Sequence, residues 1–167
     1  MNNNYIIEMI KSGELLELKL GLSPKEISSI IEETAVITAL NSELDLWNYG
    51  YGLELFLEND KLTKFSIRTV TESGQFELPQ SFKRIQNNEL ENLSSIDLLI
   101  DILKVNEINW SINKNLCDDE HICITCNDLV DIYYSLDRHH IYNIQSRGLD
   151  WHLQQNKYWS EKNNRSI

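Results

Sequence analysis

Hydrophobic and polar positions alternate most regularly from Trp47 to Thr69, WNYGYGLELFLENDKLTKFSIRT. Leu53, Leu55 and Leu57 alternate with Glu54, Phe56 and Glu58, the period of two that marks a half-buried strand. Asn59 and Asp60 tolerate left-handed backbone and supply a turn. Phe65 and Ile67 then alternate with Lys64, Ser66 and Arg68 on the return strand. The pattern recurs in LVDIYYSLDRHHIYNIQSR. A constant offset of 77 residues lays Glu54 on Asp131, Phe56 on Tyr133, Leu57 on Tyr134, Asp60 on Asp137, Lys61 on Arg138, Phe65 on Tyr142 and Ile67 on Ile144. Any two amphipathic hairpins share period two, so the match fits either an internal repeat or chance likeness.

The apolar spacing elsewhere is helical. Residues 3–12 predict a short helix capped by Asn2, Asn3 or Asn4, with Ile6, Ile7 and Ile10 on one side and Ser12-Gly13 at its end. Residues 14–22 fit no single period. Ser23-Pro24-Lys25-Glu26 is a helix start: Ser23 caps, Pro24 takes the first helical position, and Glu26 closes a capping box. Ile27, Ile30 and Ile31 give that helix a buried face. Ala35–Leu40 predicts a first strand, and Glu72–Gln80 a loop broken by Gly74 and Pro79. Residues 81–93 are polar and read as a linker. Ser94 or Ser95 caps a helix bearing Ile96, Leu99, Ile100 and Leu103. Strands follow at Trp110–Ile112 and His121–Cys126, then the second hairpin. The tail from Gly148, with Trp151, Tyr158 and Trp159, is expected to close as a helix or an extended flap.

These elements predict an α+β fold in one domain, 1–167. It comprises two tandem units, about 1–80 and 94–147, and a tail, 148–167. Each unit is a helical segment followed by about three antiparallel strands, with the helices on one face of the sheet. A half-length unit could not cover its own sheet, and pairing two buries both apolar faces.

Length agrees: a domain of about 150 residues buries roughly 68–70% of its unfolded surface and needs no disulfide or metal to fold. Charge adds more. The 26 Asp and Glu against 15 Lys and Arg give a formal net charge of −11. Such a chain repels nucleic-acid phosphates and anionic membranes and attracts a basic protein. An acidic surface also serves solubility alone. No basic n-region or long apolar run opens the sequence, and three cysteines are an odd number for a secreted disulfide framework. The expectation is a reduced, cytoplasmic protein with no membrane span, a monomer or weak homodimer.

Candidate chemistry is sparse. Cys117, His121, Cys123 and Cys126, with His139 and His140 nearby, are zinc-compatible residue types. On a strand, however, His121, Cys123 and Thr125 point opposite to Ile122, Ile124 and Cys126, which argues against a shared metal. His139-His140 beside Asp137 could do acid–base work, but reads as a polar turn. GxSxG, P-loop and HExxH patterns are absent. The expectation is therefore no catalytic residue, no metal and no cofactor. Strand alternation instead points Glu54, Phe56 and Glu58, and Asp131, Tyr133 and Ser135, away from the core. Each hairpin would then present an aromatic ring beside carboxylates, a surface suited to a basic partner. The alternative is that Phe56 and Tyr133 are covered by the other unit or by the tail. Asp118, Asp119 and Glu120, and Glu43 with Asp45, are acidic clusters that matter if they border that face.

LGLSPKEISSIIEE followed by WNYGYGLELFLENDKLTKFSI resembles a recurring bacterial pattern. In it a "G-[ML]-[ST]-x-x-E-[VI]" helix precedes "W-x-Y…L-x-[LF]-x-F/L-x-[ND]-x-x-L-x-x-I". Small outer-membrane assembly lipoproteins carry it, and β-lactamase inhibitory proteins share a related tandem helix-plus-sheet architecture. Short two-unit versions look like immunity proteins of polymorphic toxin and contact-dependent growth inhibition systems. The likeness spans Leu20–Ile67 and, more weakly, Ser94–Ser146. The absence of a lipobox cysteine before the motif disfavours the lipoprotein and secreted branches. Glu33-Thr34-Ala35 replaces the glycine-proline that often ends the helix. The resemblance implies a non-enzymatic protein that binds a cognate toxin C-terminal domain, basic and nuclease-like, and blocks its active site. Partner-binding residues would be Glu54, Phe56, Glu58, Asp118, Asp119, Glu120, Asp131 and Tyr133. Two other readings stay open: a small metal-binding protein or enzyme using the Cys/His group, and a self-associating structural module.

Overall fold

A computed structural model of the chain describes residues 5–50, 52–71, 74–75, 79–82 and 95–147. They form α1 (Tyr5–Ser12), α2 (Pro24–Ile30), β1 (Val36–Ala39), β2 (Leu44–Asn48), β3 (Leu53–Glu58) and β4 (Lys61–Arg68). There follow β5 (Val70–Thr71), β6 (Gly74–Gln75), α3 (Ile96–Val105), β7 (Trp110–Ile112), β8 (His121–Cys126), β9 (Val130–Ser135) and β10 (His140–Arg147). The fold is α+β. Eight strands make one sheet in the order β1-β2-β3-β4-β10-β9-β8-β7, antiparallel throughout. Two meanders thus meet where β4 pairs β10.

The helices begin and end where side-chain chemistry directs. The Ser23 N–H and hydroxyl donate to the Glu26 carboxylate at 2.8 and 2.6 Å, and the Ser23 hydroxyl holds that carboxyl below its usual range. Ser95 accepts from the Leu98 N–H at 3.2 Å and starts α3. Gly13, at φ 74°, ends α1 by donating its N–H to the Met9 carbonyl. Residues 14–22 hold one isolated bridge, Leu15 to Leu18.

The two hairpins are built alike. Asn59 and Asp60 take φ of 50° and 58°, the backbone of a type I′ turn. Each hairpin contains a bulge. Phe56 pairs Lys64 while Leu57 pairs Leu62, leaving Thr63 extra. Tyr133 pairs Asn143 while Tyr134 pairs Ile141, leaving Tyr142 extra. Phe56 and Leu57 lie 77 residues before Tyr133 and Tyr134, so the bulges fall at matching places.

Beyond the turns a constant offset fails. The second turn has four residues, Leu136–His139, where the first has two. By cross-strand partner, Phe65 therefore corresponds to Ile144 and Ile67 to Ser146, an offset of 79 in place of 77. Tyr142 corresponds to Thr63, not to Phe65.

Two further expectations change. Each meander has four strands: the second has the four placed along the sequence, and the first gains Leu44–Asn48, β2, where none was assigned. Its residues are all half-buried, and its leucines, Leu44 and Leu46, lie on the outer face opposite Glu58 and Phe56. Gly74 sits in the small β5–β6 ladder and does not break a loop. The Asn2–Asn4 caps, Ser94, Glu72, residues 83–93 and the tail with Trp151, Tyr158 and Trp159 lie outside the described residues.

One hydrophobic cluster joins Ile6, Met9 and Ile10 of α1, Ile27 of α2 and Leu99 and Leu103 of α3. It continues through Leu53, Leu55, Phe65, Ile67, Ile132 and Ile144 of the central strands. All twelve are completely buried. Burying each such side chain contributes about 1.5–3 kcal/mol, before the entropy of ordering it. The opposite positions on the same strands form the sheet's other face.

Candidate functional site

That outer face carries Glu54, Phe56, Glu58, Asp131 and Tyr133, as alternation requires once Leu53 and Ile132 face the core. Its centre is not open. Asp131 and Cys123 are completely buried and Ser66 is nearly so. Glu54 is buried and pairs with Arg68, whose Nη2 lies 3.0 Å from its Oε1. Phe56 is half-buried, with Lys64 Nζ 3.5 Å from its ring centre. Lys64 is pushed down to about 8 by burial and by Arg147. Only Glu58, next to the turn, is exposed.

Asp131 is the hub of the second half. Its Oδ1 accepts from the Thr125 hydroxyl at 2.6 Å, and its Oδ2 lies 3.5 Å from Arg147 Nη1. Arg147 Nη2 donates to the Tyr133 hydroxyl at 3.0 Å and to Gln145 Oε1. The register explains this grouping: Asp131 stands opposite Thr125 on β8 and Gln145 on β10. Burial pushes the Tyr133 hydroxyl up, so it stays a neutral donor and acceptor. The expected display of carboxylates beside aromatic rings therefore exists only in part. Two of those carboxylates are matched by arginines of the same chain.

Asp118, Asp119 and Glu120 are exposed in the loop before β8. Asp118 accepts from the Glu120 N–H at 2.8 Å, and its Oδ1 is 2.9 Å from His121 Nδ1; these bonds hold its carboxyl below the usual range. The loop reaches the same face, because Glu120 and His121 line a cavity of about 460 Å³ with Arg68, Asp137, His140 and Tyr142. The rings of His121 and Tyr142 are 4.9 Å apart, and those of Tyr142 and Tyr133 6.0 Å. Arg68 and His121 are already engaged, by Glu54 and Asp118, and Asp137 takes the Ser135 hydroxyl. Most of the polar groups lining the cavity thus already have partners within the chain. Glu43 is exposed at the far end of the sheet, beside half-buried Asp45.

The Cys/His group divides as strand geometry predicts. Cys126 joins the core cluster, whereas Cys123 lies on the outer face opposite Tyr133. Burial pushes both thiols up, Cys126 to about 12. Cys117 Sγ accepts the Cys123 N–H at 3.3 Å. Among the described residues no three His, Cys, Asp or Glu gather as metal ligands. His139 occupies the second turn at φ 54°, and His140 begins β10.

Sequence reasoning overlooked the cations: Arg68, Lys64 and Arg147 engage the acidic and aromatic positions it singled out. The signal was present, since Lys64 and Arg68 share the outward alternation with Glu54 and Phe56. No family model, curated protein or solved structure matches the chain. Among the described residues no helix is long and apolar enough to cross a membrane.

Proposed function

We propose that this chain is an immunity protein that binds a basic, nuclease-type toxin domain and neutralises it by covering its active site. The observation that carries the reading is the charge distribution. Arg68 and Arg147 are matched by Glu54 and Asp131, while Glu58, Asp118, Asp119 and Glu120 stand exposed in a chain of net charge −11. Exposed acid around a rigid sheet steers a basic partner and can raise association rates by about 10–10³-fold. An antidote needs such speed. The resemblance of Leu20–Ile67 to the immunity-protein pattern points the same way.

In this reading the chain is cytoplasmic, monomeric or weakly dimeric, and not an enzyme. It is built from two tandem units, 1–80 and 94–147, with helices on one sheet face. The matching bulges at Thr63 and Tyr142, and the single core cluster shared by all three helices, support that architecture. Growth rescue tests the function. The C-terminal domain of a large protein encoded directly beside this chain is expressed with and without it. Killing that this chain relieves supports the reading. Killing that continues unrelieved overturns it.

A further inference from the structure

Strand β1 ends the sheet, and all four of its residues are exposed. Val36 and Ile37 point to opposite faces and remain 70% and 56% exposed, with Leu40 beyond them at 49%. The Leu40 N–H bonds the Leu44 carbonyl, and Thr38 pairs Leu46 in the same antiparallel ladder. Antiparallel alternation then directs the backbone groups of Val36, Thr38 and Leu40 to β2 and those of Ile37 and Ala39 away from it. No described residue pairs with that outer edge. Besides keeping an edge strand short, as the four residues of β1 are, sheets ordinarily blunt such an edge with charge or proline. From Thr34 to Ser42 this chain has neither. Acid flanks the stretch: Glu32 before it and Glu43 after it are exposed, while Glu33 is half-buried and accepts from Ser81 and Asp45 is half-buried on β2.

We infer that the free edge of β1 accepts an extended strand from a basic protein partner and so lengthens the sheet. The outward N–H and C=O of Ile37 and Ala39 hold its backbone, Val36 and Ile37 cover its β-branched side chains, and the exposed Glu32 and Glu43 take lysines or arginines at its ends. A second copy of this chain fits worse. Pairing Ile37 of one copy with Ala39 of another joins the outward groups but sets Glu33 opposite Glu43, between molecules that each carry −11. The inference rests on the neutralising reading for the partner being a basic protein, and it names the segment that meets it.

The test uses the purified full chain and a labelled synthetic peptide with an alternating threonine–valine centre and paired lysines at both ends. Fluorescence anisotropy is expected to show saturable binding. Ala39→Pro deletes one outward N–H and no bond to β2, an exchange edge strands tolerate. It is expected to weaken binding about tenfold or more. Ala39→Val keeps the N–H and should bind like the parent. Ile37→Lys, which adds a cation at the edge, should weaken binding even if the proline variant folds poorly. Replacing the peptide lysines by glutamates should abolish it. Failure of the parent to bind overturns the inference. So does equal binding by a folded Ala39→Pro variant or by the glutamate peptide. A dimer of the parent that Ala39→Pro dissolves would assign the edge to a second copy instead. Growth rescue by the parent chain is scored without the peptide, so the edge inference can fail while the neutralising reading stands, and the two are distinguished.

Discussion

Arg147 Nη1 lies 3.5 Å from the Asp131 carboxylate, with both side chains buried on the outer face of the sheet. The surrounding bonds from Thr125, and to Tyr133 and Gln145, make a compact polar group between β8, β9 and β10. Removing one member strands the other charge out of water. Arg147→Met is therefore expected to destabilise the fold by about 3–5 kcal/mol. Adding Asp131→Asn should restore much of the loss, since a neutral replacement no longer leaves a naked charge. Urea midpoints of the parent, the single and the double variants check this. A loss under about 1 kcal/mol for Arg147→Met would mean that the pair behaves like an exposed one.

The first turn offers a cleaner change. Asp60 is exposed at φ 58°, a left-handed conformation that Asp tolerates better than most residues and that glycine adopts most readily. Asp60→Gly yields the Asn-Gly pair preferred in type I′ turns and should stabilise by about 0.5–1 kcal/mol. Asp60→Val should destabilise by a similar amount or more. Thermal unfolding of the three proteins decides, and equal melting temperatures would contradict the turn type.

Strand alternation and helix caps were legible because each is a local property. Leu53, Leu55 and Leu57 declare their face, and Ser23 and Ser95 their helices, within a few residues. What could not be read is what depends on register between distant strands. Asp131 meets Arg147 across a hairpin whose turn is two residues longer than the first, so a constant offset carried from Phe56 to Tyr133 slips on the return strand. β2 is hard to read because its alternation runs against the sheet: Leu44 and Leu46 stand opposite Glu58 and Phe56 on the outer face, and Asp45 stands opposite Leu57. Placing candidate residues on the outer face was within reach of the sequence. So was the pairing of Glu54 with Arg68, but the pairing of Asp131 with Arg147 was not.

Lys64 makes stability depend on pH. Burial and Arg147 lower its folded value from 10.5 to about 8. Below pH 8 the lysine is charged in both states and the folded state bears the cost of a disfavoured cation. Between about 8 and 10.5 the unfolded chain binds more protons, so this residue's contribution rises with pH. The buried thiols act oppositely above pH 9, so the effect is isolated as a difference. The stability of the parent minus that of Lys64→Met should increase from pH 7.5 to pH 9, with pH chosen to span the lysine. A flat difference would place Lys64 in water.

The three thiols should separate by accessibility. Cys117 is half-buried, whereas Cys123 and Cys126 are buried. A thiol-reactive disulfide reagent at neutral pH is expected to modify Cys117 first. Cys123 and Cys126 should react only at the rate of opening or in denaturant. Mass spectrometry of the singly labelled product identifies the fast site, and early labelling of Cys123 would show that the centre of the outer face opens readily.

Exposed and buried carboxylates should differ in what they control. Glu58 and Asp119 are exposed, so Glu58→Lys and Asp119→Lys should leave folding stability within about 0.5 kcal/mol. With the toxin domain that growth rescue identifies, each reversal should slow association several-fold at low salt and flatten its salt dependence, with little change in dissociation. Glu54 is buried against Arg68, so Glu54→Gln should cost about 1 kcal/mol of stability and alter association little. Stopped-flow association at two salt concentrations, beside denaturant titrations, separates the classes. If Glu58→Lys and Asp119→Lys associate as fast as the parent, these carboxylates do not steer the partner, and the acidic charge serves solubility.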